Sequence, residues 1–492
     1  MIYSKDFNVR NERNLTMLVD FYELTMANGY LDNNVQDKIA YFDMFFRRIP
    51  DGGGYCVMAG VQQLLEYLSN LSFSNDDIAY LESKHDFSDK FIDYLKSFKF
   101  SCDVWAIPEG YPVFPGEPLV TVKGPIIQAQ FVETMILLTI NHQTLIATKA
   151  SRICRAAKGR PVMEFGSRRA QGYDGAIYGA RAAVIGGCVG TACTIAEEMF
   201  DIPALGTMAH SWVQLFDTEY DAFKAWTVTY PDNCVLLIDT YNVLRSGILN
   251  AIKVFDDVLK PMGKRPKGIR IDSGDITYLT KKVRIILDEA GYDDVKITVS
   301  NSLDEYIISG VLENGAQIDN FGVGERLITA RSEPVFGGVY KLVAVENDGE
   351  IIPKIKISEN AEKIINPAFK KLYRIFDKTT HKAIADFITL HDETFDENRP
   401  LEIFNPTYTW KKKNLKHYYI KELMVKLFEN GKQIYESPTV MEIKAFSEQE
   451  VSKLWTEVLR FDNPHAYYVD LSWNLWNLKQ GLLNHYSEIL EE

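Results

Sequence analysis

Several short stretches of this chain end an apolar run in side chains capable of chemistry. Glu164-Phe165-Gly166-Ser167-Arg168-Arg169 carries two arginines, whose planar forks suit phosphate or carboxylate. Gly206-Thr207-Met208-Ala209-His210-Ser211 carries a histidine able to act as base, nucleophile or phosphoryl acceptor. Ile238-Asp239-Thr240 and Arg270-Ile271-Asp272-Ser273-Gly274-Asp275 bring carboxylates, which at a strand end can hold Mg²⁺ while water and substrate phosphate complete its shell. Val299-Ser300-Asn301 and Phe321-Gly322-Val323-Gly324 end in small or polar residues. Taken singly, each has a plain alternative: His210 as a helix cap, an arginine in a surface ion pair, an aspartate in a core ion pair. Four strand ends carrying Arg, His, Asp and Asp together favour an enzyme acting on a phosphorylated, Mg²⁺-bound substrate.

These residues need elements to position them. Ile202–Gly206 has the pattern of a short buried strand, and Trp212, Leu215, Phe216, Phe223 and Trp226 fall near helical spacing, with Ser211 as the expected N-cap. His210 is thereby expected at a strand-to-helix turn. From about 161 to 330 seven such apolar runs recur, the Gly190-Thr191 ending completing the set, which fits a (β/α) barrel or a doubly wound sheet. A barrel gathers all seven endings at one face, and its phosphate site commonly follows the last strands, where this chain is rich in glycine and serine. A doubly wound sheet would scatter them along a crevice. The barrel explains more. Strand alternation points Arg270 and Asp272 the same way.

Outside that region the pattern is mixed. Thr16 to Tyr30 has helical spacing with a stop at Gly29, and Ile39 to Phe46 has strand composition. Arg47-Arg48-Ile49-Pro50-Asp51-Gly52-Gly53-Gly54 follows, a turn able to approach a phosphate but more simply read as a loop. Residues 104–124 suggest hairpins, 126–157 two helices, 337–345 a strand leaving the barrel, and 350–392 further strands. Glu429-Asn430-Gly431 signals a tight hairpin, Lys411-Lys412-Lys413 a solvated loop, and the last fifty residues a tryptophan-rich helical segment. The expected organisation is therefore an N-terminal α/β domain (1–125), a (β/α) barrel (126–335), strands returning to the N-terminal domain (336–400) and a C-terminal extension (401–492).

A chain of 492 residues exceeds one compact core, so two or three domains are expected. Its 46% hydrophobic and 25% charged residues are those of a globular protein. The net charge of −13 favours solubility and offers no basic face for nucleic acid. No apolar run is long enough for a bilayer, and Met1–Asn8 lacks the apolar core of a signal peptide, so a cytoplasmic protein without membrane contact is expected. Cys56, Cys102, Cys154, Cys188, Cys193 and Cys234 form no CxxC pair and read as reduced thiols.

The residues so far name no substrate. The set Asp20 to Met26, Phe45 to Arg48, Glu164 to Gly172, Gly206 to Val213, Arg270 to Asp275, Gly322 to Gly324 and Phe461-Asp462-Asn463-Pro464-His465 resembles the nicotinate phosphoribosyltransferase family, of the type II phosphoribosyltransferases. The resemblance implies an irregular α/β barrel with an N-terminal α/β domain and a C-terminal extension, paired as a homodimer with shared active sites. It implies that nicotinate and phosphoribosyl pyrophosphate give nicotinate mononucleotide and pyrophosphate, coupled to ATP hydrolysis, in NAD salvage. By similarity Tyr22 of the partner subunit and Phe165 would sandwich the nicotinate ring, and Arg270 with Thr207 would hold its carboxylate. Arg47, Arg168, Ser300, Asn301, Gly322 and Gly324 would hold phosphoribosyl phosphates. Asp239 and Asp272 would serve Mg²⁺ and the ribose, and His210 would accept phosphate from ATP. Glu325 departs from the family pattern, where a threonine is common; a carboxylate there is unfavourable beside phosphate unless it turns away or holds metal. A nicotinamide phosphoribosyltransferase is the near alternative, but it calls for an acidic residue that Gly206-Thr207 does not supply. A silent barrel used as a binding scaffold is the distant one.

Overall fold

The computed structural model describes residues 14–358 and 363–491, so the Met1–Asn8 reading lies outside the described residues. The chain divides into two compact units, with boundaries at 142/143, 334/335, 437/438 and 448/449.

The unit holding 143–334 is built on a parallel sheet: β1 (Val162–Glu164), β2 (Gly190–Thr191), β3 (Val235–Leu237), β4 (Gly268–Ile271), β5 (Lys296–Asn301) and β6 (Asn320–Val323). The spatial order is β2-β1-β6-β5-β4-β3, with Ala204 bridged in parallel to Thr191 at the free edge of β2. Every strand except β2 lies beside its sequence successor, and the first strand pairs with the last through Phe321↔Val162 and Val323↔Glu164. A doubly wound sheet keeps its outermost strands apart. This order is compatible with a barrel, and among the described residues no pairing joins Ala204 to β3. Ile269, Ile271, Ile297, Val299, Phe321 and Val323 are fully buried, the near-continuous apolar pattern of strands covered on both faces.

Two local expectations are corrected here. The strand Ile202–Gly206 reduces to the single bridge at Ala204, held by Thr191 N–H to the Pro203 carbonyl (3.0 Å) and Leu205 N–H to the Thr191 carbonyl (2.7 Å). Pro203 has no N–H to extend the ladder. Gly190 permits the approach, since a Cβ there would lie 2.4 Å from the Pro203 oxygen. The expected single helix after Ser211 is two, His210–Leu215 and Glu219–Thr229. Phe216 is extended, and Thr218 caps the second helix by accepting from Asp221 N–H, so the chain stops and restarts. Ser211 is not the cap: extended Ala209 holds that position, and His210 is the first helical residue.

The other unit holds a seven-stranded antiparallel sheet in the order Glu350–Pro353, Val339–Asn347, Ile39–Phe45, Val120–Pro125, Asp103–Ala106, Val425–Glu429 and Lys432–Gln433. A four-stranded sheet orders Tyr418–Glu422, Lys370–Asp377, Ala383–Leu390 and Val469–Leu471. Residues beyond 401 are thus woven into sheets begun far upstream, instead of forming an appended segment. Asn430 (φ 49°) and Gly431 (φ 74°) make the reversed turn their types favour. The first helix is Phe21–Asp32, not Thr16–Tyr30. The Thr16 hydroxyl is taken by Ser72 N–H at 3.0 Å, and the helix runs past Gly29, whose carbonyl accepts from the Asn33 side chain at 2.8 Å. Lys412 and Lys413, expected in a loop, lie in the strand Lys412–Leu415, paired with Leu401–Phe404. Among the described residues no helix is long and apolar enough to cross a membrane, and all six cysteines are unbridged.

Candidate active site

β4 carries Arg270 inward and delivers Asp272 one step past its end. The Arg270 guanidinium donates from Nε to Ser300 Oγ (2.7 Å), from Nη1 to Thr207 Oγ1 (3.1 Å) and from Nη2 to Asp272 Oδ1 (2.9 Å). Ser300 in turn donates to the same Asp272 oxygen. One arginine therefore ties together β4, the end of β5 and the segment before His210. Its neutral partners are two hydroxyls and, at 3.5 Å from Nη1, the Met208 carbonyl, and its side chain keeps 14% exposure. The guanidinium also stands 5.6 Å from the centre of the Phe165 ring, a cation–π distance.

His210 faces two carboxylates. Its Nε2 is 3.8 Å from Asp272 Oδ2 and 4.0 Å from Asp239 Oδ1, while Nδ1 lies 3.1 Å from the Thr240 hydroxyl. Thr240 can donate or accept, so it fixes the ring plane in either tautomer. Asp239 is held hard: its Oδ2 accepts from Asp272 N–H (3.0 Å) and Ser273 Oγ (2.6 Å). Its Oδ1 is buried and has no hydrogen-bond partner among the described residues. An orphaned carboxylate oxygen in such a place wants a cation. With the imidazole uncharged, Arg270, Asp239 and Asp272 sum to one negative charge, a poor host for anionic substrates. Mg²⁺ fits this donor set: one or two carboxylates with water and phosphate oxygens are its usual company. Asp239 Oδ1 and Asp272 Oδ2 are the oxygens that would hold it.

The turn after β1 is set by Glu164, which is fully buried. Its carboxylate accepts from Thr191 Oγ1 at 2.6 Å and from Gly166 N–H, and burial pushes its pKa up. Phe165 then packs onto β6, where a Cβ on Gly322 would lie 2.5 Å from the ring. Gly322 thus makes room for an aromatic face. A Cβ on Gly324 would lie 3.0 Å from the Phe165 carbonyl oxygen. Glu325 turns to a cation of its own, accepting from Arg331 Nη1 at 3.2 Å. Arg168 is exposed on the 3₁₀ turn Ser167–Arg169, and the exposed Asn301 side chain accepts from Ser302 N–H at 2.7 Å, apart from the Arg270 network.

Tyr22 and Arg47 belong to the other unit. Tyr22 is 44% exposed near the start of its helix. Burial, with Glu133 beside it, raises its hydroxyl pKa. The Nε of Arg47 is buried and has no hydrogen-bond partner among the described residues, while its guanidinium lies 5.5 Å from the centre of the Phe45 ring. Three supporting residues escaped the sequence reading as site members: Thr240 beside His210, Ser273 on Asp239, and Glu164 beneath Phe165. All sit in quoted strand endings, but short hydroxyl and buried-acid supports carry no spacing signal of their own.

With this geometry in hand, comparison with known proteins is informative. Family models match residues 17–141 (nicotinate phosphoribosyltransferase N-terminal domain), 161–382 (nicotinate phosphoribosyltransferase family) and 369–479 (the C-terminal domain). Nicotinate phosphoribosyltransferase of Bacillus subtilis is 42% identical, covering 97% of each chain. Nicotinate phosphoribosyltransferase pncB2 of Mycobacterium tuberculosis is 37% identical over 93% of this chain and 91% of its own. The crystal structure of human nicotinic acid phosphoribosyltransferase superposes with a TM-score of 0.83 at 26% identity, covering 95% of this chain and all of that one. Family models along nearly the full length and relatives of 37–42% identity agree with this fold, and the chain belongs to the nicotinate phosphoribosyltransferase family.

Proposed function

We propose that this chain condenses nicotinate with phosphoribosyl pyrophosphate to nicotinate mononucleotide and pyrophosphate, with ATP hydrolysis coupled through His210, as a step of NAD salvage. The observation that carries the reading is the Arg270 network, a guanidinium fixed on three sides and backed by the Phe165 ring. A pyridine carboxylate takes the N–H groups that Ser300 and Thr207 leave free or can yield, and the Phe165 face lies under the ring. A neutral amide would gain far less from that cation. Displacement of pyrophosphate builds positive charge at the anomeric carbon and negative charge on the leaving group, so positioning and electrostatics do most of the work. Asp272 and Asp239 face the ribose and would hold Mg²⁺, which supplies neutralisation of the leaving pyrophosphate. Arg168, Asn301 and the Gly322–Gly324 turn are assigned to phosphoribosyl phosphates, and Arg47 to the same substrate from the other unit.

His210 accepts the phosphoryl group at a ring nitrogen: the N–P bond forms as the bond to the ADP oxygen breaks. Thr240 holds Nδ1, which leaves Nε2 as the reacting atom. The working form is a homodimer in which Tyr22 of the partner subunit closes each nicotinate site, and the exposed run Leu18, Phe21, Tyr22 and Met26 supports such a pairing. The unbridged thiols suit a reducing cytoplasm.

Pyrophosphate release measured with nicotinate, nicotinamide and quinolinate, with and without ATP, tests the assignment; release with nicotinate alone among the three is expected. Labelled ATP should give an acid-labile, base-stable phosphoprotein that His210→Ala abolishes. An undiminished label in that variant places the phosphorylated group elsewhere.

A further inference from the structure

A second charged cavity lies wholly in the unit that does not carry His210. Its volume is about 1040 Å³, and its walls are the 47–54 turn, the 403–413 segment and residues 463–470, with Phe114 stacked on Tyr467 at 3.9 Å. Among the described residues five arginines and lysines line it (Arg47, Arg48, Lys411, Lys412 and Lys413) against one carboxylate, that of Asp470. Asp470 is buried, and burial pushes its pKa up to about 7 while Lys413 pulls the other way, so near neutral pH it is only partly ionised and five cations outweigh it. Lys412 is paired with Glu402 at 3.1 Å. Lys411 and Lys413 rest on ring faces instead, 4.7 Å from Tyr408 and 4.5 Å from Tyr468. The buried Nε of Arg47 offers a hydrogen bond that nothing among the described residues accepts.

Cations gathered in a concave site raise the local concentration of anions, and arginine forks with lysine heads match the oxygens of linked phosphates better than one compact anion. We propose that this cleft is a polyphosphate-binding site, taking the diphosphate or triphosphate group of a phosphorylated substrate between Arg47 and Arg48 on one wall and Lys411 and Lys413 on the other. The proposal deepens the reaction above and rests on it for the identity of the substrate. Lys411–Lys413 thereby becomes a binding element instead of a solvated run.

Lysine to methionine keeps the aliphatic stem over the ring and removes only the charge, and both lysines are exposed, so the fold is spared. Binding of pyrophosphate, phosphoribosyl pyrophosphate and a non-hydrolysable ATP analogue is titrated calorimetrically into the full chain and into Lys411→Met/Lys413→Met. A roughly tenfold or larger loss for pyrophosphate is expected, since two charge-assisted contacts go. Restoration by Lys411→Arg/Lys413→Arg and an unchanged thermal midpoint are expected with it. A parallel loss for phosphoribosyl pyrophosphate assigns the cleft to the sugar substrate, and a parallel loss for the ATP analogue assigns it to the nucleotide. Pyrophosphate affinity within about twofold of the parent overturns the proposal. The phosphoribosyl transfer itself is judged by product formation with nicotinate, so either idea can fail while the other stands.

Discussion

The chain contains two arginine–aspartate pairs on strands, and they behave oppositely. Arg374 and Asp386 sit directly across from each other on antiparallel neighbours, with side chains 1% and 0% exposed. Arg374 donates to Asp386 at 2.7 and 2.6 Å and to the Pro112 carbonyl at 2.7 Å, and Tyr467 donates to Asp386 at 3.0 Å. Arg270 and Asp272 lie two residues apart at the end of one strand, 14% and 34% exposed, and share hydroxyl partners. The first pair is sealed on all sides by its own protein, so its charge is spent on the fold. The second is stopped by the end of the strand, where neutral hydroxyls can give way to a ligand. Position along the strand, more than residue type, decides which pair can do chemistry.

That contrast breaks most sharply under mutation. Arg374→Ala strands Asp386 beside Glu117, whose pKa burial and Asp386 already push well up, and should cost about 3–5 kcal/mol of stability. Urea unfolding measures it, and a loss below about 1 kcal/mol would make the pair no more structural than Arg270–Asp272. A second buried acid gives the next effect. Glu23 has no exposure, and burial, opposed by its bond from Thr134 and reinforced by Glu133 and Asp20, raises its pKa to about 8. The native state then keeps a proton that the unfolded chain releases above about 4.5. Its contribution is complete below that pH and is lost as pH rises through about 8, an effect of up to a few kcal/mol. Glu23→Gln should flatten stability between pH 5 and 8; an unchanged slope assigns the titration elsewhere.

Arg270→Ala is expected to reverse the pattern of Arg374→Ala. A charge-assisted bond to a carboxylate contributes about 1.5–3 kcal/mol, so nicotinate binding should weaken by ten- to a hundredfold or more. The unfolding midpoint should scarcely move. If instead the variant binds nicotinate as the parent does, the open pair is as structural as the sealed one.

The same contrast explains what was legible before the structure. Arg270, Asp272, His210 and Asp239 each ended an apolar run, and such runs are visible in sequence because every second or every residue of a buried strand must be apolar. Six of the seven runs became strands of the parallel sheet. The vestigial strand at Ala204 and the helix break at Phe216 were not legible, since Pro203 and Thr218 act through hydrogen bonds that periodicity does not register. That Gly322 also makes room for the Phe165 ring was not legible, because the ring belongs to a segment far away in sequence. Arg374–Asp386 was invisible for a related cause: strand pairing brings the two together, and no motif surrounds either. The cleft of Lys411 and Lys413 needed three segments spread over more than 400 residues.

The smallest expected effect tests whether the two units cooperate across a dimer. Tyr22 is half exposed, on a helix in the unit that does not carry Arg270. A ring facing a planar substrate contributes about 0.5–1.5 kcal/mol beyond area burial, so Tyr22→Ala alone should weaken nicotinate by only a few-fold to tenfold. Two-fold symmetry sharpens this modest loss, because each site would use Tyr22 from one chain and Arg270 from the other. Adding the charge-reversing Arg270→Glu as the second variant makes the distinction clear: homodimers of either variant carry their defect in both sites. In a hybrid of the two, one site receives both substitutions and the other neither. Random pairing puts about half of the dimers in hybrid form, and half of their sites are intact, so co-expression should restore about a quarter of the sites to parental affinity. The comparison is a titration of co-expressed chains against a mixture of separately folded, non-exchanging homodimers. Hybrids shown to form without a recovered high-affinity fraction would place Tyr22 in the site of its own chain, or outside it altogether.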